Sequence, residues 1–149
     1  MADVSFVTAR LATGAALTGT DDVAALVSGG ISHVIDCRAE FDDALLFSEH
    51  PDVSYLWLPT NDDGQSKPSE WFDHGIQFAL DALTHHGTAV LSHCAAGINR
   101  GPSMLYAIFR ALGFSSSMAE SLIRVARPQV NIAYRNDADR AVAELGWVR

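Results

Sequence analysis

The chain has 149 residues, 48% of them apolar and 19% charged, enough to bury a substantial core within one domain. Its formal charge is −8 and Lys67 is its single lysine, which argues against broad binding to nucleic acid or an anionic membrane surface, since both depend on clustered basic side chains. Two cysteines, Cys37 and Cys94, are too few for a disulfide scaffold, the opening "MADVSFVTAR" lacks the basic start and apolar run of a signal peptide, and no stretch is long enough to span a bilayer.

The expectation is therefore a soluble, cytoplasmic chain without a membrane partner. Residues 10–13, "RLAT", read as a short first strand. Thr20 caps a helix with Asp21 and Asp22 in its first turn, where carboxylates suit the dipole, and that helix stops at Gly29-Gly30. "ISHVID", 31–36, and "VSYLWLP", 53–59, read as buried strands, and the turn-rich "TNDDGQSKPS" follows. Ser69 caps the next helix, from about Glu70 to His85, whose Phe72, Ile76, Ala79, Leu80 and Leu83 recur at helical spacing. "TAVLS" is another strand, and a helix stopped by Gly113 succeeds it after a small-residue loop. Ser117 and Glu120 form a capping box for a helix that ends at Arg127-Pro128, and "AYRNDADRAVAELGW" reads as a last, exposed helix. Strands alternating with helices predict a single α/β domain over residues 1–149. Its three layers would flank a central, mostly parallel sheet of four or five strands with helices. Ligands in such folds gather at the carboxyl ends of the strands. That rule would place the Cys37 stretch, the Asp62 loop and residues 93–101 on one rim.

The loop "HCAAGINRG", 93–101, carries the chemistry. Cys94 stands between a strand and a helix amino terminus, where unpaired N–H groups and the helix dipole favour an anion and lower a thiol's pKa. Gly97 permits a positive φ, so the backbone from Ala95 through Ala96, Gly97, Ile98 and Asn99 can turn consecutive amides inward as a nest. Arg100 closes the ring with a planar fork suited to two phosphate oxygens. The parts amount to a phosphate cradle around a nucleophile. An in-line attack on a phosphate monoester then needs an acid for the leaving group, and Asp62-Asp63 follows the strand that offers the best position. No cofactor or metal is required.

"HCAAGINRG" resembles the signature loop of the cysteine-based protein tyrosine phosphatase superfamily, and "GISHVIDC", "YLWLPTND" and "RPQV" are similar to elements of its small dual-specificity branch. The resemblance implies that Cys94 forms a phosphocysteine and Arg100 holds the phosphoryl oxygens. The amides of Ala95 to Arg100 would line the cradle, and His93 would orient the loop and tune the thiol. Asp62 would protonate the leaving group and later assist water, with Asp63 as the alternative acid. The substrate would be a phosphorylated protein, at tyrosine, serine or threonine. The family usually has Ser or Thr directly after the arginine, where Gly101 stands here, and that departure predicts slower breakdown of the phosphocysteine. Cys37 is read either as a back-door thiol that pairs with Cys94 on oxidation, as in some relatives, or as a small buried hydrophobe.

Other readings stay open at this point. A pseudophosphatase that binds phosphate without turnover draws on Gly101. An RNA 5′-triphosphatase draws on "GINR", and a glucan phosphatase on the small residue before Pro102. A sulfur-transfer loop would have a shorter cysteine-to-arginine span. The loop has no lysine at Ala95, Ala96, Ile98 or Asn99, which disfavours polyphosphoinositides.

Overall fold

A computed structural model of the chain describes residues 2–147. Five strands form one sheet: β1 (Val4–Phe6), β2 (Leu11–Gly14), β3 (His33–Arg38), β4 (Ser54–Thr60) and β5 (Val90–His93). The spatial order is β1-β2-β5-β3-β4, parallel throughout except for β1, which runs antiparallel to β2. The mostly parallel α/β expectation is thus correct. β1 has no pattern of its own in sequence, because three residues at an edge need no periodicity.

Helices α1 (Thr20–Ser28) and α2 (Ala44–Phe47) cover one face. They close a small core of Ala12, Val23, Leu26, Val34, Phe47 and Leu91. Helices α3 (Ser69–Leu83), α4 (Arg100–Ala111), α5 (Ser116–Ala126) and α6 (Arg135–Glu144) build the larger core on the other face, with Ile35, Phe72, Ile76, Leu105, Phe109 and Ile123 fully buried. Helix α4 is the spine of this layer. Every residue from Arg100 to Phe109 is buried, so its sequence reads as apolar nearly all round.

Four local expectations change. Thr20 is the first residue of α1 rather than its cap, and the Asp22 carboxylate accepts instead from the Thr18 N–H at 2.7 Å. Pro68 occupies the position before α3, which frees Ser69 to donate to Glu144 at 2.8 Å. The cap of α5 is Ser115, which accepts from the Met118 N–H at 3.2 Å, while Glu120 pairs with Arg135 and not with the helix start. Finally, α6 is not simply exposed: Ala138, Ala141 and Val142 pack into the core. Its small apolar residues hide among charges, so its buried stripe is faint in sequence. No helix among the described residues is long and apolar enough to cross a membrane.

Candidate active site

The strands β2, β3, β4 and β5 are parallel, so the chain leaves all four at one edge of the sheet, and the loops after Gly14, Arg38, Thr60 and His93 meet there. The loop 94–99 joins β5 to α4 and is braced from outside. Its carbonyls are taken in turn: Ala95 by the Ala16 N–H, at 3.0 Å. Arg127 holds the next two, at 3.1 Å for Ala96 through Nη2 and 2.7 Å for Gly97 through Nε. The Ile98 carbonyl is taken by the Asn131 N–H at 2.8 Å. In a trans peptide the N–H points opposite to the C=O. With four successive carbonyls held outward, the amides of Ala96 to Asn99 turn inward. Gly97 has φ +68°, and a Cβ there would lie 2.5 Å from Arg127 and 2.6 Å from the Gly14 backbone, so only glycine lets the loop turn and seat against β2.

Arg127 is itself buried and its charge is met by Asp3, at 2.9 and 3.0 Å, with Ser5 at 3.1 Å. In sequence this arginine reads only as the end of a helix before Pro128. Its reach to two loop carbonyls is not encoded in any local spacing, since Asp3 lies 124 residues away.

Arg100 is 4% exposed and makes a two-pronged ion pair with Glu40: Nη1 donates to Oε1 at 2.6 Å and Nη2 to Oε2 at 2.8 Å, while Nη1 also reaches the Thr60 carbonyl at 2.9 Å. Nε of Arg100 is buried without a protein partner. Glu40 therefore takes one edge of the guanidinium and leaves the Nε edge open to an oxyanion. The bond with Arg100 holds the Glu40 carboxyl down at about 2, and the same bond raises Arg100 further. Glu40 was absent from the sequence reading. It belongs to "CRAEFDD", where nothing in spacing or periodicity distinguishes it from the neighbouring acids.

The two aspartates separate. Asp63 accepts from Lys67 Nζ at 2.9 Å and from the Gln65 N–H at 3.0 Å, and the ammonium lowers its pKa. Asp62 instead faces the loop: its Oδ1 accepts from Asn99 Nδ2 at 2.7 Å and lies 3.5 Å from the Tyr134 hydroxyl. Lys67, itself buried, also donates to the Asn61 carbonyl at 2.6 Å and stacks 4.8 Å from the Tyr134 ring centre, so the segment 61–67 is held at both ends.

Beneath the loop, His93 is fully buried. Burial lowers its pKa, its Nδ1 lies 3.4 Å from the Cys94 carbonyl, and its Nε2 has no hydrogen-bond partner, 3.8 Å from Asp36. Asp36, Asp43 and His93 bring ligand-type atoms within 4.8 Å of one another. The Arg38 guanidinium already bridges the two carboxylates, at 2.9 and 2.7 Å, so a cation's position there is filled by the protein's own charge. Cys37 and Cys94 each follow the last paired row of β3 and β5, Asp36 opposite His93. Burial raises the Cys37 thiol well above its ordinary value, and the neighbouring Cys94 adds to that. A Cβ at Gly101 would lie 2.9 Å from both the His93 Cα and the Ser92 carbonyl oxygen, so the first turn of α4 sits closer to β5 than a side chain allows. Ser103 does not replace the missing hydroxyl. Its Oγ donates to Asn99 Oδ1 at 3.2 Å and accepts from the Tyr134 N–H at 3.3 Å. Trp71 and Phe72 are buried in the core, whereas Trp57 is 38% exposed and donates to the Arg38 carbonyl at 2.6 Å. A cavity of about 920 Å³ lies at the opposite end of α4, around Asp73, Arg110 and Trp147, away from this edge.

A loop of inward amides around a buried cysteine, with an arginine edge left open and a carboxylate bonded to the loop, defines a class: a site whose free donors suit a tetrahedral oxyanion. Comparison with known proteins gives the family. Residues 18–136 match the dual specificity phosphatase catalytic domain, and the chain belongs to that family. It is 26% identical over 129 residues to the tyrosine-protein phosphatase vhp-1 of Caenorhabditis elegans, covering 86% of this chain and 19% of that protein. It is 28% identical over 115 residues to the dual specificity protein phosphatase Mpk3 of Drosophila melanogaster, covering 76% and 27%. The chain thus spans well under a third of the curated relatives it matches. Solved structures agree on the fold. Human DUSP28 superposes with a TM-score of 0.81 at 17% identity, covering 97% of this chain and 95% of that one. PTPMT1 in complex with PI(5)P gives 0.79 at 21%, covering 96% and 99%.

Proposed function

We propose that this chain is one catalytic unit that hydrolyses phosphate monoesters of proteins through a phosphocysteine. The observation that carries the reading is the pairing of inward-turned amides at 96–99 with the open Nε edge of Arg100. Donors fixed before the substrate arrives stabilise the equatorial oxygens without reorganising. In this scheme Cys94 attacks phosphorus in line, and the P–O bond to the alcohol or phenol breaks as Asp62 delivers its proton. Water then attacks phosphorus and the S–P bond breaks, with Asp62 taking the water's proton and Cys94 leaving as thiolate. Asp62 suits this better than Asp63, because a neutral amide tolerates a carboxyl in both protonation states whereas an ammonium favours the anion. His93 holds the cradle's floor through the Cys94 carbonyl.

Charge favours a singly phosphorylated protein segment. The cations around the cradle each face a carboxylate: Arg38 with Asp36 and Asp43, Lys67 with Asp63, Arg100 with Glu40 and Arg127 with Asp3. Little positive charge remains for a second phosphate. The PI(5)P seen in the PTPMT1 complex makes a phosphoinositide monoester the arm to compare.

The test is turnover of p-nitrophenyl phosphate, of phosphotyrosine and phosphothreonine peptides and of PI(5)P vesicles. The wild type should prefer peptides, and Cys94→Ser should lose at least about a thousandfold. A wild type that binds tungstate yet turns over nothing would establish the pseudophosphatase reading instead, for which Gly101 is the specific observation. Peroxide followed by non-reducing peptide mapping tests the Cys37–Cys94 pair. Adjacent parallel strands lie about 4.8 Å apart, within the range a disulfide bridges.

A further inference from the structure

Asn99 is a side chain of the cradle that hydrogen-bonds the acid loop directly. Its Nδ2 donates to Asp62 Oδ1 at 2.7 Å. Its Oδ1 is occupied from the other side, accepting from the Ala133 N–H at 2.9 Å and the Ser103 hydroxyl at 3.2 Å. A backbone N–H can only donate, so Oδ1 must face Ala133 and the amide cannot flip. The NH2 end is therefore fixed toward Asp62. Both contacts to Asp62, from Asn99 and from the Tyr134 hydroxyl, fall on Oδ1, and among the described residues Oδ2 carries no hydrogen bond. The Tyr134 hydroxyl is in turn held by the Gly64 N–H at 3.0 Å.

We propose that Asn99 is a positioning residue that clasps the acid loop to the phosphate loop, so that Asp62 presents its free Oδ2 over Cys94 before any substrate binds. This rests on the reading of Asp62 as the general acid. The clasp suits both half-reactions. With the proton on Oδ2, Oδ1 is the carbonyl oxygen and still accepts from the amide; with the proton transferred, the same bond serves the carboxylate. One side chain thus ties the acid's position to the cradle's, and an error in either loop would be felt in both.

The charged and titratable groups around Asp62 are Arg100 from α4 and the Tyr134 hydroxyl before α6, with Asp63 and Lys67 in its own loop. Asn99→Asp keeps an acceptor for the Ala133 N–H and the Ser103 hydroxyl beside Tyr134, which Asn99→Ala gives up, so the two variants together separate the clasp from that support. Asn99→Ala removes the donor, and Asn99→Asp replaces it with an acceptor of the same shape that repels the carboxylate. The expected signature is a dependence on the leaving group. Asn99→Ala should lose about tenfold or more in kcat on phenyl phosphate but about threefold or less on 2,4-dinitrophenyl phosphate, whose phenolate needs no proton. The basic limb of kcat/KM should move to higher pH in Asn99→Ala and further in Asn99→Asp. In an Asp62→Asn background, Asn99→Ala should add no further leaving-group dependence.

Tungstate affinity reports whether the cradle survives each substitution, and carboxyl NMR of Asp62 reports the clasp without any turnover. An upward shift of the Asp62 titration in both variants, with tungstate affinity kept within about threefold, supports the clasp even in a protein that proves to be a pseudophosphatase. Equal losses on both aryl phosphates, or an Asp62 titration unmoved by Asn99→Asp, would overturn it. A wild type without turnover but with that NMR shift would overturn the phosphatase reading and leave the clasp standing.

Discussion

The loop at 94–100 has two surfaces, and they are built on opposite rules. On the outer surface every polar atom in reach is satisfied: Ala16, Arg127 and Asn131 cover four carbonyls in succession, and Arg127 is nearly inaccessible. On the inner surface bonds are left unmade. The Nε of Arg100 is buried without a protein partner, and Asp62 offers one oxygen free. Buried polar groups are costly when unpaired. Saturating the outside is what allows the inside to stay open, because the loop cannot turn a carbonyl inward to relieve its own amides.

Breaking the outer surface should have the largest effect. Arg127→Met strands Gly97 and Ala96 carbonyls and leaves Asp3 without its cation, at a cost of about 3–5 kcal/mol in stability. Chemical denaturation should show that loss, and tungstate affinity should fall with it. A variant that keeps both stability and tungstate affinity would dissolve the contrast between the two surfaces.

The next effect sharpens the inner surface. Asp62→Asn should cost about a hundredfold in kcat, whereas Asp63→Asn should cost less than about threefold, since Asp63 serves Lys67. Initial rates on phenyl phosphate decide between them, and equal losses would mean the two carboxylates are interchangeable.

Gly101→Ser probes where the surfaces meet. A side chain there presses on His93 and Ser92, so the substitution should lower stability by about 1–3 kcal/mol. It should not speed phosphocysteine hydrolysis in rapid-quench experiments, despite restoring the family's usual hydroxyl. The burst expected of the wild type tests the premise, since its absence would mean that breakdown is not slow.

The smallest effect concerns Glu40. Its pKa lies at about 2 in the fold against an ordinary 4.5. A carboxyl depressed on folding stabilises the protein above its unfolded pKa and loses that contribution as pH falls through 4.5 toward 2. Glu40 is half exposed, so solvent screens much of the benefit. Glu40→Gln should therefore melt slightly below wild type at neutral pH, with the gap narrowing as pH falls below 4.5 and closing only near pH 2, and KM should rise more than kcat falls as Arg100 loses its brace. A gap that widens on acidification would have the wrong sign for this pair.

What could be read without coordinates was whatever is local. Alternating strands and helices announce a mostly parallel α/β layer fold, and "HCAAGINRG" carries its cysteine, glycine and arginine within one turn of chain, because a nest is made by consecutive residues. Glu40, Asn99 as a clasp, and Arg127 as a brace were not legible, since each acts through a partner 30 or more residues away. The capping of α5 failed for a related reason: Glu120 had a distant arginine to answer, and Ser115 offered the same hydroxyl two residues earlier. By itself the sequence determined the layered fold, the cradle and the pair of candidate acids, all properties of short segments and their periodicity. The tertiary structure alone decided which aspartate faces the cradle and which edge of Arg100 stays open. Hydrogen bonds are directional over about 3 Å, and only folding brings such partners within that reach.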